Sequence, residues 1–218
     1  MHQPYKVYCL TADEAEALAQ WFPGRFVIES DRNNFDYIYT REDLAELQGK
    51  KYHGKRNHIK KFLTAYGDRW NYRPVEPARD FQLLLDFQKK WQETKSSGHR
   101  SDYQHELYAI ERALTHYDTL GLRGGVLEVD GRVAAFTLGV PLTADTMDVL
   151  IEKADVDIEG AYPMINREFV RNECGAFTYI DREEDMGIEG LRRAKLSYYP
   201  AMFTEKYTAM PKEQGKPL

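Results

Sequence analysis

The chain reads as an α+β protein, a mixed sheet flanked by helices. Three observations predict this. Residues 124–154 run with a period of two around an Asp130-Gly131 pair, the pattern of antiparallel strands joined by a tight turn. A helical stretch opening at Gly160 and a short apolar strand at 176–181 follow, a strand–helix–strand order that adds to such a sheet. Before residue 121, apolar residues recur at three and four positions, as amphipathic helices require.

Residues 11–21 form a helix in which Thr11 and Glu14 make a capping box, stopped by Pro23-Gly24. Short strands follow at 26–28 and 35–39, the second alternating aromatic and polar residues as a half-buried strand does. Thr40 caps a short helix that ends at Gly49. Residues 49–62 carry six Lys/Arg and no acid. In helical projection Tyr52, Ile59, Phe62, Leu63 and Tyr66 share a stripe, with Lys55 and Arg56 at its margins. After Pro74 and Pro77 come two helices. Phe81, Leu84, Leu85 and Trp91 face inward in the first. Ser96-Ser97-Gly98 is the loop, and Ser101 with Gln104 caps the second helix, whose inner stripe includes Leu107, Ile110 and Leu114. The hairpin, a third strand at 146–154, a helix with Met164, Ile165, Phe169 and Val170 inward, and the strand at 176–181 lead to a last helix. The tail from 212 reads as frayed.

Composition excludes several classes. Of 218 residues 42% are hydrophobic and 30% charged, which describes a soluble globular chain. The net charge of −5 argues against general polyanion binding, so nucleic-acid contact needs a local basic patch. No run approaches the roughly 20 apolar residues of a membrane span, and no signal peptide is visible, so the cytoplasm is expected. Cys9 and Cys174 lack metal-ligand spacing and cannot build a disulfide framework. His53 and His58 fall on different helical faces, so no metal is expected. No GxGxxG, GxxxxGK[ST] or GxSxG occurs.

Chemistry is expected where the strand at 176–181 runs into Glu183, Glu184 and Asp185, then Arg192, Arg193 and Lys195. A helix dipole accounts for part of that charge. Glu184 remains, as does Lys195, which shares a face with Leu191, Ala194 and Tyr198 and should point inward. Glu106 faces the core side and needs a cation, for which Lys55 or Arg56 would serve. Lys153 precedes a helix start at Gly160 that either binds an anion through free N–H groups or is an ordinary turn.

The segments FDYIYTREDLAELQGKKYHGKRNHIKKF, GLRGGVLEVDGRVAAFTLG, IEKADVDIEGAYPMINREFV and YIDREEDMGIEGLRRAKLSYYP resemble a bacterial family related to the C-terminal catalytic domain of phosphatidylglycerol lysyltransferase. The resemblance implies a GNAT-like fold, related to the FemABX aminoacyl-tRNA-dependent transferases, usually as two modules in tandem. It implies a partial first module with the basic helix at 1–75, a transferase domain at 76–210 and a tail at 211–218. Lys55, Arg56, Lys153, Gly160 and Asn166 match family motifs and become donor- or anion-binding candidates, while Lys195, Glu184 and Glu106 are the catalytic ones. GNAT enzymes hold pyrophosphate on a [QR]xxGx[GA] loop, of which DIEGAY keeps one glycine.

The expected activity is acyl or aminoacyl transfer, with no cofactor required and aminoacyl-tRNA or acyl-CoA as co-substrate. tRNA would meet the basic helix at 49–62, and the acceptor would be a small molecule or a lipid headgroup. An acyl-CoA-dependent N-acyltransferase and a non-catalytic binding module are the alternatives. Lys195 and Arg56 would stabilise charge, and Glu106 or Glu184 would be the base. Replacing Lys195 by Ala should abolish transfer and leave the melting temperature nearly unchanged.

Overall fold

The computed structural model describes residues 5–94 and 100–212, without the side chains of 100–103. The loop read at 96–98, the Ser101 cap and the tail beyond 212 lie outside the described residues. In chain order the elements are β1 (Val7–Leu10), α1 (Ala12–Trp21), β2 (Phe26–Ser30), β3 (Asp36–Thr40), α2 (Arg41–Glu46) and α3 (His53–Tyr66). Then come β4 (Trp70–Pro74), α4 (Pro77–Glu93), α5 (Arg100–Thr115), β5 (Arg123–Val129), β6 (Arg132–Pro141) and β7 (Thr146–Ala154). The last are α6 (Ala161–Glu173), β8 (Tyr179–Asp181), α7 (Glu189–Leu196), β9 (Met202–Thr204) and β10 (Tyr207–Pro211). They form two compact units, Met1–Ile38 with Arg182–Leu218, and Tyr39–Asp181.

The larger unit holds a mixed sheet flanked by helices, the α+β class that the element order predicts. β4, β5, β6 and β7 run antiparallel in that order, and β8 adds parallel to β7. The β5–β6 turn has Asp130 at φ 51° and Gly131 at φ 73°, both left-handed, so the ribbon keeps its native twist. α4 and α5 cover one face through Leu84, Leu85, Ile110 and Leu114, which pack on Val126, Phe136 and Leu138. α6 covers the other: a side chain at Gly139 would meet Met147 and the Phe169 ring, each at 3.2 Å. Arg73 ties β4 to its neighbours, forking onto Asp80 of α4 at 2.7 and 2.8 Å and reaching Glu128 of β5 at 2.8 Å.

Two irregularities in β7 shape this sheet. Leu138 pairs with Ile151 and Gly139 with Val149, so Leu150 is an extra residue with no partner on β6. On its other edge β7 pairs with β8 only over Thr146–Asp148. From Val149 onward that edge carries no paired strand among the described residues.

In the smaller unit β10 lies between β1 and β2, all antiparallel, with α1 packed on them. β3 pairs antiparallel with β9. The capping box at the start of α1 is the expected one, Glu14 N–H to Thr11 Oγ1 at 3.3 Å and Thr11 N–H to Glu14 at 2.8 Å.

Several sequence readings change. β3 is not half-buried: Asp36, Tyr37, Ile38 and Tyr39 are all buried, and Asp36 is accommodated by Lys206 at 2.7 Å. α2 stops at Leu47, which takes a left-handed conformation, two residues before the predicted Gly49. Leu63 leaves the α3 stripe and is exposed, while Tyr52, Ile59 and Phe62 are buried. The strand before the closing segment begins at Tyr179 because Phe177 is held in a turn by the Cys174 carbonyl. β1, β4, β9 and β10 were not predicted.

Gly160 sits at φ 86°, where a Cβ would stand 2.4 Å from the His58 carbonyl oxygen of α3. Both the left-handed backbone and the contact favour glycine. Gly160→Ala should therefore destabilise the fold by about 2 kcal/mol or more in chemical denaturation, with α3 and α6 forced apart.

Candidate functional site

In the larger unit the candidates gather along the far half of β7. Lys153 and Glu152 are consecutive, so their side chains leave opposite faces of the sheet. On the α4–α5 face Lys153 Nζ lies 2.6 Å from Glu106 Oε1 and 4.1 Å from the centre of the Trp91 ring. The second Glu106 oxygen accepts a hydrogen bond from Gln88 Nε2 at 2.7 Å. Trp91 Nε1 donates to Tyr162 Oη at 3.2 Å, and burial pushes the Tyr162 phenol above its usual pKa. The Glu106 side chain keeps 28% of its surface exposed. Its carboxylate is thus held through both oxygens yet open to solvent. Gln88 is fully buried, and its Oε1 has no hydrogen-bond partner among the described residues.

On the α6 face the buried Asn166 donates to Glu152 Oε2 at 2.9 Å. A groove of about 530 Å³ opens at the end of β7, lined by Tyr66, Lys90, Arg132, Asp155 and Ile158 among others. That volume is in the range of small-ligand sites.

The cation that Glu106 requires is Lys153, not Lys55 or Arg56. Arg56 is used on the turn that follows α2, where it donates to Leu47 O and, at 2.7 Å, to Gly49 O. Lys55 lies half-buried on α3. At the α6 start the Ala161 N–H already donates to Ile158 O at 3.1 Å. Glu159 is paired with Lys61 at 2.7 Å, and His58 lies 3.6 Å away. The turn is packed against α3 through Gly160.

In the smaller unit the closing segment is organised by two charged side chains. Lys195 points inward as predicted, with 8% exposure. It donates to the main-chain oxygens of Arg182 at 2.5 Å, Glu183 at 3.1 Å and Glu184. The Glu184 carboxylate is 3.7 Å from Lys206. Asp185, whose side chain is fully buried, accepts from Tyr37 Oη at 2.5 Å and Arg192 Nε at 2.7 Å. It also accepts from Arg192 Nη2 and the Gly187 N–H, each at 2.8 Å. The Arg192 fork, against the opposing cost of burial, holds this carboxyl far below the usual carboxylate range.

Sequence reasoning assigned Asp185 and Arg192 to the helix dipole and missed Tyr37, Arg32 and Asn33. Arg192 also donates to Asn33 Oδ1 at 2.7 Å, and the Arg32 guanidinium lies over the Phe203 and Tyr37 rings at 4.4 and 5.0 Å. A tyrosine hydroxyl in a buried strand was the available signal, since such a group needs a polar partner.

A family model described as "Phosphatidylglycerol lysyltransferase, C-terminal" matches residues 2–210. A crystal structure of a conserved protein of unknown function from Bacteroides thetaiotaomicron is 42% identical, covers 96% of this chain and 70% of its own, and overlays with a TM-score of 0.88. The structure of L-PGS from Bacillus licheniformis is 16% identical, covers 96% of this chain and 68% of its own, and overlays at 0.65, a likeness of fold. An uncharacterized protein of Mycoplasmoides gallisepticum is 26% identical over 199 residues, or 91% of this chain. The chain spans 62% of that relative's length.

Lys195 donates to the main-chain oxygens of Arg182 and Glu184, while Glu183 O also accepts from the Tyr37 N–H at 3.2 Å, so a destabilising Lys195→Ala is predicted in place of the stability-neutral one. A loss of roughly 2–4 kcal/mol follows from taking the ammonium away from those acceptors, measurable by urea titration. Asp185 gives the pH dependence. Its folded pKa is depressed, so its stabilisation is present above the unfolded value near 4 and is lost as pH falls below it. Asp185→Asn should lower stability at pH 7 by about 3–5 kcal/mol and flatten the acid limb of the stability curve.

Proposed function

Because the chain belongs to the family of phosphatidylglycerol lysyltransferase C-terminal domains, we propose that it is an acyl or aminoacyl transferase with aminoacyl-tRNA as donor. It works in the cytoplasm on a lipid headgroup or small-molecule acceptor. The observation that carries this reading is the coincidence, on one strand, of the Leu150 bulge, the end of β8 pairing at Asp148 and the Lys153–Glu106 pair.

Acyl transfer needs a place for the oxyanion and a base for the acceptor's proton. A bulge frees backbone groups from the ladder, and here it does so where one strand edge is already open. The acceptor's amine or hydroxyl attacks the ester carbonyl, and the new bond to carbon forms as the ester C–O bond breaks. The acceptor's proton passes to Glu106 and then to the departing ribose hydroxyl. Lys153 and Gln88 orient the Glu106 carboxylate, and the Lys153 charge favours the developing negative charge. The exposed cations of the basic segment, including Lys50 just before α3 and Lys60 on it, supply the sequence-independent grip on a phosphate backbone. Lys195 and Arg56, tied to carbonyl oxygens, act by positioning the closing segment and the turn after α2.

The packed, acidic turn at Glu159-Gly160 favours the tRNA donor over coenzyme A. The test is transfer from charged tRNA to phosphatidylglycerol vesicles or to a small amine. Glu106→Gln should lower the turnover rate by about 100-fold or more, with filter-binding affinity for tRNA within a few-fold of the unmodified protein. Unchanged turnover would make Glu106 structural. Thermal stabilisation by coenzyme A and not by tRNA would assign the chain to acyl-CoA chemistry.

A further inference from the structure

Tyr162 lies in the first turn of α6, and its half-buried side chain reaches back to the end of β7. Asp155 turns its N–H toward β6, donating to Ala134 O at 2.8 Å. Successive amides of a strand point to opposite edges, so the Ala154 N–H points to the edge that β8 has left. Tyr162 Oη receives it there, together with the Trp91 indole N–H at 3.2 Å. Lys153 Nζ lies over the same indole ring, 4.1 Å from its centre, and 2.6 Å from Glu106. The phenol is therefore part of the cluster that holds the candidate base.

A phenol oxygen that accepts two hydrogen bonds still has its own proton to give. Among the described residues nothing accepts the Tyr162 O–H. A polar hydrogen without a partner in a half-buried place is costly unless something arrives to meet it. Burial above all, and then the carboxylates of Glu152 and Glu106, oppose ionisation of the phenol and outweigh the two bonds that it accepts. The proton is thus in place at neutral and mildly alkaline pH. What fits this position is an acceptor that carries no proton of its own, such as a carbonyl oxygen.

We propose that Tyr162 is a catalytic residue, its O–H donating to the carbonyl oxygen of the acyl donor and holding the oxyanion that forms there. The assignment rests on the transferase reading and adds a residue to it. As the acceptor's lone pair forms the new bond to carbon, the carbonyl π pair moves onto oxygen, and the Tyr162 hydrogen bond tightens without transfer of its proton. In the same step Glu106 takes the acceptor's proton and becomes neutral. Negative charge passes from the Glu106 carboxylate to the oxyanion, so Lys153 has one charge to balance both before and after. When the carbonyl re-forms, the bond to the leaving ribose oxygen or thiol sulfur breaks, and Glu106 returns the proton to that atom. An ester of tRNA and a thioester of coenzyme A share this carbonyl, so the O–H serves either donor.

Tyr162→Phe keeps the ring and removes the O–H. It should lower kcat by about 100-fold or more and leave KM for the donor within a few-fold, and transfer at the unmodified rate would overturn the proposal. A second measurement reads the hydrogen bond without turnover. With fluorotyrosine in place of Tyr162, the fluorine NMR signal should shift when amide-linked aminoacyl-tRNA binds, because that analogue keeps the carbonyl and is not transferred. A shift with acetyl-coenzyme A, absent with free coenzyme A and with the tRNA analogue, would overturn tRNA as the donor and support the role of Tyr162. A signal that moves equally with deacylated tRNA, or with neither carbonyl compound, would overturn the proposal whatever the Phe variant does.

Discussion

One extra residue in β7 governs the candidate chemistry of the larger unit. Before Leu150, odd-numbered residues such as Met147 face α6; after it, Ile151 and Lys153 face α4 and α5 while Glu152 faces α6. Without the bulge the alternation would run on unbroken, and Lys153 would point to the face where Asn166 lies, away from Glu106. The bulge thus decides which carboxylate the lysine meets. It also falls where β8 leaves the sheet, so the irregular backbone is not buried under a neighbouring strand.

The smaller unit solves a different problem, the placement of charge out of water. Lys195, Asp185 and Asp36 are each buried, and an isolated buried charge is costly. Each is met by partners of opposite polarity: carbonyl oxygens for Lys195, a guanidinium fork with a tyrosine hydroxyl and an amide for Asp185, an ammonium for Asp36. Burial still raises the Asp36 pKa against the pull of Lys206.

Much of the fold was legible because its signals are local. The Thr11–Glu14 box, the Asp130-Gly131 turn, the inner face of α6 and the inward direction of Lys195 are all readable within a few residues, and all are observed. What escaped depends on partners distant in sequence. Projection showed that Glu106 wanted a cation but could not name Lys153. β1, β9 and β10 are three to five residues long, too short to carry a period. β4 was masked by its ending in Pro74, although Trp70 and Tyr72 alternate with Asn71 and Arg73. The bulge had a signal in the consecutive apolar residues Val149, Leu150 and Ile151, which break the period of two.

The Lys195 clamp has a genetic consequence. Glu183 and Met186 hold left-handed conformations, at φ 54° and 52°, that non-glycine residues adopt only when their surroundings impose them. The course of 182–184 is imposed from outside the loop, by the Tyr37 main chain, which accepts from the Arg182 N–H and donates to Glu183 O, and by one ammonium on the following helix, eleven to thirteen positions along the chain. The loop's shape is therefore written in β3 and α7 as well as in its own residues. Mutational tolerance should be lowest at the helix position that holds this backbone, and the side chains along the loop are engaged as well, Arg182 over the Tyr198 ring at 4.8 Å and Glu184 at 3.7 Å from Lys206. Sequence change in this segment becomes epistatic, each loop residue acceptable only in a background that retains the lysine.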